Sequence, residues 1–239
     1  MVSPVFGFTF AILAALSTGE MDQCEPTDPT VASGVPGNTM LYHRGPCPAL
    51  NTLANCGYLN YSGQSLTRES INRAIVDVFN QDIAIVTALT ASLKEPISLS
   101  DLSRRALGEH DGSLVHLNSC LGIDPMFADK DLFTDLINRG QGDKLCAKDL
   151  GEAYLNRRTT AQCYGTPPIT EQEIAQSYAQ GSGILTTFGT GECISKAHAT
   201  AFLLNEVIPS GWTKRSTPVT ADAASKVASE IKRAAEMRQ

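Results

Sequence analysis

The sequence predicts a mostly α-helical protein with a single, all-helical domain. Apolar residues recur at three- and four-residue steps in several segments, which is the periodicity of an amphipathic helix. Clusters of proline and glycine separate these segments, whereas signals for β-strands are few and no internal repeat is found. A chain of 239 residues has room for one domain with a substantial core.

Boundary signals accompany several of the predicted helices. Pro48 is favoured at the first helical position, and Thr67 is the better cap for the helix that follows. Thr170 and Glu173 form a capping-box pattern. We expect the glycine-rich stretch 181–191 to be flexible. The predicted helices cover residues 48–56, 67–93, 97–102, 125–138, 146–158, 170–178, 197–207 and 219–237.

The N-terminal segment predicts secretion. Residues 1–19 have the pattern of a signal peptide, with an apolar core that is too short to span a bilayer. Residues 20–43 are rich in proline, glycine, serine and threonine, and we interpret them as an extended arm. The chain ends in a polar, alanine-rich helix over 221–239. We therefore expect a secreted protein without a membrane-spanning segment.

Charge and cysteine content narrow the class of protein. The net charge is −6 and the sequence pI is about 5.2, which argues against a nucleic-acid partner. Seven cysteines are present, and an odd number in a secreted chain indicates a free thiol. If one thiol is set aside, the other six allow three disulfides whose pairing stays open. Asn60-Tyr61-Ser62 is a sequon for N-glycosylation, so a glycoprotein is expected.

The stretch Pro46-Cys47-Pro48 is the first candidate site. Pro48 predicts a helix start, which places Cys47 at or next to the N-cap. Free backbone N–H groups and the positive end of the helix dipole meet there, and we expect them to lower the pKa of the thiol. A thiolate so placed suits a nucleophile or a metal ligand. A structural cysteine that happens to precede a helix is the alternative from the local residues.

The motif from Pro46 to Tyr58 resembles the proximal motif of the fungal heme-thiolate peroxidases, the family of chloroperoxidase and the unspecific peroxygenases. The resemblance implies that Cys47 is the axial ligand of the iron of heme b, where a thiolate favours O–O cleavage. It also implies a heme haloperoxidase-like domain over 44–220, similar to the short peroxygenases. Arg44 is expected to pair with a heme propionate, since guanidinium matches carboxylate geometry. Residues 205–215 resemble the closing segment of the family.

A second motif, Glu109-His110-Asp111-Gly112-Ser113, carries the resemblance further. Carboxylate, carbonyl and hydroxyl oxygens are hard ligands that suit Mg²⁺ or Mn²⁺. The family pattern implies that Glu109, the backbone carbonyl of His110 and the hydroxyl of Ser113 bind such a cation beside a heme propionate. It also implies that the His110 side chain faces the peroxide pocket as a catalytic residue. Without the resemblance, a solvated charged turn explains the motif equally well.

The resemblance does not assign the distal acid–base residue clearly. The family uses a glutamate on a later helix, often hydrogen-bonded to the distal histidine. An ungapped comparison places Gln176 or Tyr178 there instead. Glu173 lies about one turn away and is the remaining acidic candidate, although it is also the partner in the predicted capping box.

The resemblance therefore implies a secreted heme-thiolate peroxidase. It would use hydrogen peroxide to oxidise, oxygenate or halogenate small phenolic or aliphatic substrates, with halide as a further possible substrate. The first alternative is a catalytically weak or inactive heme-binding secreted protein on the same fold. A disulfide-stapled secreted protein without heme is the second.

Overall fold

The structure is a computed structural model that describes residues 24–105, 107–160 and 167–237. The predicted signal peptide and Cys163 lie outside these residues. Within them the chain forms eight α-helices with short 3-10 and π segments, so the prediction of a mostly α-helical protein is confirmed. The α-helices are α1 (Pro48–Asn55), α2 (Arg68–Phe79), α3 (Ile83–Thr90), α4 (Lys130–Arg139), α5 (Ala147–Thr160), α6 (Glu171–Gly183), α7 (Lys196–Leu203) and α8 (Ala221–Glu236).

Two small sheets modify the all-helical expectation. Strand β1 (Ala32–Ser33) pairs in parallel with β2 (Tyr42–His43), and β3 (Lys144–Cys146) pairs antiparallel with β4 (Cys193–Ser195). The first sheet joins the middle of the N-terminal arm to its last two residues, which lead towards α1. None of the helices in the described ranges is both long and apolar enough to cross a membrane.

The long helix predicted over 67–93 is wrong, because the chain forms two helices there. Asn80 ends α2 in the left-handed conformation (φ 52°), which asparagine tolerates better than most residues. Asp82 then starts α3, because its side chain accepts a hydrogen bond from the backbone N–H of Ala84 at 2.8 Å. A second boundary also moves: the helix predicted from residue 125 begins at Lys130, after the N-cap Asp129.

The glycine-rich stretch is helical over much of its length rather than an open loop. Gly181 and Gly183 belong to α6, and the chain continues as a π-helical turn over Ile184–Phe188. Gly181 lies so close to Tyr154 on α5 that a β-carbon would come within 2.9 Å of its ring. This glycine therefore allows α5 and α6 to pack closely.

Disulfides link parts of the chain that are far apart in sequence. Cys24 pairs with Cys56, which fastens the arm to the end of α1, and Cys146 pairs with Cys193 across β3 and β4. Cys120 is disulfide-bonded as well. Cys47 is the free cysteine among those described, in agreement with the odd cysteine count.

The core lies between α5, α6 and α8 and extends to an aromatic cluster beside α2 and α7. α8 packs closely on α5, where Gly151 leaves room for Ala234. Phe188 stacks on Phe202 with ring centroids 4.2 Å apart, and the indole N–H of Trp212 donates to the carbonyl of Phe188 at 3.1 Å. This core supports α6 and α1, the two helices that carry candidate site residues.

Candidate active site

Cys47 lies at the N-cap of α1. Its backbone is extended (φ −97°, ψ 101°), and Pro48 occupies the first turn of the helix. The Cys47 side chain accepts no capping hydrogen bond, but the backbone N–H groups of Ala49 and Leu50 are near enough to act on the pKa of the thiol. Because this cysteine is not in a disulfide, the sulfur is available as a ligand.

The expected lowering of the thiol pKa is wrong. The helix N–H groups do act to lower it, but burial outweighs them and raises the pKa of Cys47 above its ordinary value. The carboxyl of Glu206 adds to the increase. Residues 47–49 are only half-buried as whole residues, but the thiol itself has lost most of its hydration, and the nearby N–H groups do not compensate fully for that loss. A coordinating metal ion deprotonates a thiol outright.

Asn51 holds the loop that leads to Cys47. Its Nδ2 donates to the carbonyl oxygen of Gly45 at 2.7 Å, and its Oδ1 accepts from the N–H of the same residue at 3.1 Å. Nδ2 also donates to Oε1 of Glu206 at 2.6 Å. Burial raises the pKa of Glu206 to about 8, although Asn51 and Arg44 act in the opposite direction. Asn51 thus joins the loop to the turn after α7.

Arg44 is held by contacts within the protein. Its guanidinium is 1% exposed and donates to Oδ1 of Asn55 through Nε and Nη2, and to the carbonyl of His43 through Nη1. It also stacks over the ring of Tyr61 at 5.4 Å. These contacts use three of the five N–H groups and hold the guanidinium against α1, which indicates a structural role for Arg44.

One 3-10 helix, Leu99–Ser103, lies against both candidate motifs. A β-carbon at Gly45 would collide with the carbonyl oxygen of Leu99. A β-carbon at Gly108 would come within 2.8 Å of the carbonyl oxygen of Leu102. The loop that leads to Cys47 and the loop that carries Glu109 therefore lie against the same short helix, although 62 residues separate Cys47 from Glu109.

Glu109 is a buried carboxyl with an unsatisfied oxygen. The residue is 5% exposed, and its Oε1 has no hydrogen-bond partner. Burial, reinforced by Asp111, raises the pKa of Glu109 to about 8. An orphaned carboxylate oxygen fits a hard cation. The hydroxyl of Ser113, the other predicted side-chain ligand, lies 3.4 Å from Nδ1 of His116. No cluster of three or more His, Cys, Asp or Glu side chains in the described chain is placed to hold a metal ion.

His110 is 2% exposed, and both ring nitrogens have partners. Nδ1 lies 2.9 Å from the carbonyl oxygen of Asp111. Nε2 lies 2.9 Å from Oε1 of Gln180 on α6, and the hydroxyl of Ser177 is 3.5 Å away. The Gln180 amide is oriented by its Nε2, which donates to the carbonyl of Gly108 at 3.2 Å. The side chain that contacts His110 Nε2 most closely is therefore an amide.

Glu173, the acidic candidate, makes a different set of contacts. Its carboxylate accepts from Nε and Nη2 of Arg105 at 2.6 and 3.1 Å, and from the backbone N–H of Thr170 at 2.8 Å. The Arg105 guanidinium, together with Thr170, lowers the pKa of Glu173 to about 2. Arg105 also lies 3.7 Å from Asp111. Glu173 thus completes the predicted capping box and ties α6 to the His110 loop.

The other two candidates make no described hydrogen bond to the His110 ring. The hydroxyl of Tyr178 accepts from Nη2 of Arg158 at 2.8 Å, and its ring meets Tyr154 edge to face, so the side chain points towards α5. Gln176 is absent from the described hydrogen bonds of His110, which go to Asp111, Ser177 and Gln180.

Gln180 and Arg157 were not identified from the sequence. Gln180 follows Glu173 and Ser177 at helical spacing on one face of α6, and this spacing is the signal that could have found it. Arg157 on α5 donates to the carbonyl of Ser113 at 2.8 Å and to Oδ1 of Asn118 at 3.1 Å. Nothing in the local sequence of α5 indicates that it braces this loop.

Comparison with known proteins gives one family match. A family model described as "Peroxidase, family 2" matches residues 33–217, which is most of the chain and includes both candidate motifs. A search of curated proteins finds no match.

Proposed function

The chain belongs to peroxidase family 2, and on that premise we propose that it is a secreted heme-thiolate peroxidase. The family supports a peroxidase-type oxidoreductase and a heme-type cofactor. The proposal goes further in assigning Cys47 as the axial thiolate, heme b as the cofactor, and hydrogen peroxide with small organic molecules as substrates. The observation that carries it is the free Cys47 sulfur at a helix N-cap, in a chain that matches the family over residues 33–217.

The residues present fit the proposed cofactors. Cys47 offers an unpaired sulfur, and Ala49 and Leu50 supply N–H donors that stabilise a thiolate. Glu109 offers the unsatisfied oxygen that a Mg²⁺ or Mn²⁺ ion requires, with Ser113 and the carbonyl of His110 as further ligands. A bound heme would supply the redox chemistry of peroxide cleavage. The protein would supply an electron-donating ligand on one side and proton transfer on the other.

The proton-transfer role falls to His110 in this proposal. Its Nε2 can hold a proton and donate it to an acceptor at hydrogen-bond distance. Gln180 accepts a hydrogen bond at 2.9 Å but cannot take the proton, because an amide oxygen is a very weak base. We therefore propose that Gln180 is a positioning residue and that His110 acts without a carboxylate partner. The resulting enzyme would be slow, since a positioned acid–base group contributes about 10²–10⁴-fold.

The same observation favours a second candidate function. A protein that lacks a carboxylate at His110 could bind heme and still turn over peroxide poorly. It would then be a catalytically weak or inactive heme-binding secreted protein on the same fold. The contact between His110 and Gln180 is the specific feature that motivates this alternative.

Secretion and glycosylation are part of the proposal. The described chain contains the disulfides Cys24–Cys56 and Cys146–Cys193, and Cys120 is disulfide-bonded as well. Disulfides persist in oxidising compartments. Asn60 is exposed in a turn, where its Oδ1 accepts from the Ser62 hydroxyl of its own sequon at 3.0 Å. We expect the secreted protein to carry a glycan at Asn60, which mass spectrometry before and after enzymatic deglycosylation would detect.

Absorption spectroscopy tests the main proposal. The protein is produced with ample heme, reduced and exposed to carbon monoxide, beside a Cys47→Ala variant. A Soret band shifted far to the red in the wild type alone supports thiolate ligation by Cys47. Peroxide and a phenol are then added to the same sample, and turnover separates the peroxidase from the heme binder. Absence of any Soret band would exclude both functions.

A further inference from the structure

Glu206 adopts a backbone conformation that is unfavourable for glutamate. It lies in the turn after α7 with φ 53°, in the left-handed region. The preceding Asn205 and the following Val207 return hydrogen bonds to the carbonyls of Thr200 and Ala201, which closes the helix end. Glycine is the usual residue at such a position, because it has no β-carbon to clash. A glutamate at this position therefore needs compensating contacts, which its side chain makes.

The carboxyl of Glu206 is buried and directed at the Cys47 loop. Its Oε1 accepts from Nδ2 of Asn51 at 2.6 Å, across 155 residues of sequence. The second hydrogen on that nitrogen goes to the carbonyl of Gly45, and Asn51 Oδ1 accepts from the Gly45 N–H. Both amide hydrogens of Asn51 are therefore used, so the carboxyl fixes the orientation in which the amide holds Gly45.

The backbone of Glu206 makes a second connection. Its carbonyl oxygen accepts from Nδ2 of Asn55 at 3.1 Å, at the other end of α1. Asn55 in turn accepts from the buried Arg44 guanidinium through Oδ1. The turn after α7 thus holds α1 at its first and last turns, with Cys47 at the N-cap between the clamped Gly45 and the helix.

We propose that Glu206 is a positioning residue that acts through Asn51 to fix the loop carrying the Cys47 sulfur. The role of Cys47 as a heme ligand rests on the function proposed above, but the restraint on the loop does not. Glu206 touches neither substrate nor reacting atoms in this proposal. Its effect is to limit the positions that the sulfur samples.

Two substitutions separate this role from a general contribution to the fold. Glu206→Gly removes the carboxyl and places the residue best suited to φ 53° there, so the helix end itself is not strained. Glu206→Gln keeps an oxygen that can accept from Asn51. Asp149→Ala serves as the control, because it removes another buried carboxyl, one that caps α5 by accepting from the N–H of Cys146 at 2.8 Å.

The first measurement is the rate at which Cys47 reacts with a small alkylating reagent in the heme-free, disulfide-intact protein. We expect Glu206→Gly to react roughly three- to tenfold faster than wild type, the change that corresponds to the removal of one hydrogen bond. The rates are measured at pH 6.5, where the Glu206 carboxyl, with a pKa of about 8, is largely uncharged and has little effect on the pKa of the thiol. Glu206→Gln and Asp149→Ala are therefore expected to react at the wild-type rate. Equal rates for Glu206→Gly and wild type, or an equal increase in the Asp149→Ala control, would overturn the proposal.

The second measurement uses the heme-loaded proteins and the carbon monoxide spectrum. We expect Glu206→Gly to lose part of the far-red Soret band and Glu206→Gln to keep it. A wild type without this band contradicts the proposed heme function, while the alkylation rates still decide the role of Glu206. A wild-type band that Glu206→Gly leaves unchanged, together with unchanged alkylation, contradicts the positioning role alone.

Discussion

Replacement of Gln180 by glutamate tests the chemistry at His110 directly. In wild type, Oε1 of Gln180 lies 2.9 Å from Nε2 of His110, so Gln180→Glu would place a carboxylate oxygen at the same atom. A carboxylate there can take a proton and return it, which the amide cannot do. Since general acid–base groups contribute about 10²–10⁴-fold, we expect kcat/KM for hydrogen peroxide to rise by at least about 10²-fold.

The structural cost of this substitution is small. Gln180 is exposed, and the substitution removes the hydrogen bond that its Nε2 donates to the carbonyl of Gly108 at 3.2 Å. One such bond contributes about 1 kcal/mol to the free energy of unfolding. For a chain of this size that corresponds to a fall in Tm of about 2–4 °C. The new charge next to the His110 ring offsets part of this destabilisation.

Initial rates of peroxide-dependent phenol oxidation, normalised to bound heme, provide the assay. Gln176→Glu is the matched control, because it makes the same chemical change on the same helix without a described contact to His110. We expect the control to leave the rate unchanged, and His110→Ala to remove the gain in the double variant. The reasoning is refuted if Gln180→Glu is no faster than wild type, or if Gln176→Glu is equally fast.

Three further predictions concern stability and the cation site. The pKa of Glu173 is about 2, below its ordinary value, so its pairing with Arg105 stabilises the fold above about pH 4.5 and is lost as the pH falls towards 2. Glu173→Gln should lower the free energy of unfolding by about 1–3 kcal/mol at pH 7. It should also flatten the acid limb of a curve of Tm against pH. Mg²⁺ at 100 times its Kd should stabilise wild type by about 2.7 kcal/mol, which a thermal melt detects as a rise in Tm. Glu109→Gln should abolish this rise, and an equal rise in the variant would contradict the cation site. Gly45→Ala should lower the free energy of unfolding by about 1–3 kcal/mol, because the added β-carbon collides with the 3-10 helix. Gly183→Ala is the control that should not lower it, because outside its own helix backbone no atom lies within 4 Å of an added β-carbon.

Features set by local residues were predicted well. Pro48 placed the start of α1 and hence Cys47 at its N-cap, and the capping box of Thr170 and Glu173 is present in the structure. Both depend on backbone groups within one turn of the residue itself. The division between α2 and α3 also has a local cause, in Asn80 and Asp82, but apolar periodicity continues across it and concealed the break.

Features set by packing between distant segments could not be predicted in the same way. Which residue of α6 meets His110 depends on the rotation of the helix against a loop 70 residues earlier, and a shift of one turn exchanges Gln176 for Gln180. The pairing of Glu173 with Arg105 joins residues 68 positions apart. The pKa of Cys47 likewise depends on how deeply α1 is buried, which its own sequence does not specify.

The central claim is that the sulfur of Cys47 binds the heme iron. X-ray absorption at the iron edge of the heme-loaded protein tests it most directly, because a sulfur neighbour scatters differently from nitrogen or oxygen. We predict one sulfur in the first coordination shell of the wild-type iron and none in Cys47→Ala. An iron without a sulfur neighbour in the wild type, or one that keeps it in the variant, would contradict the account.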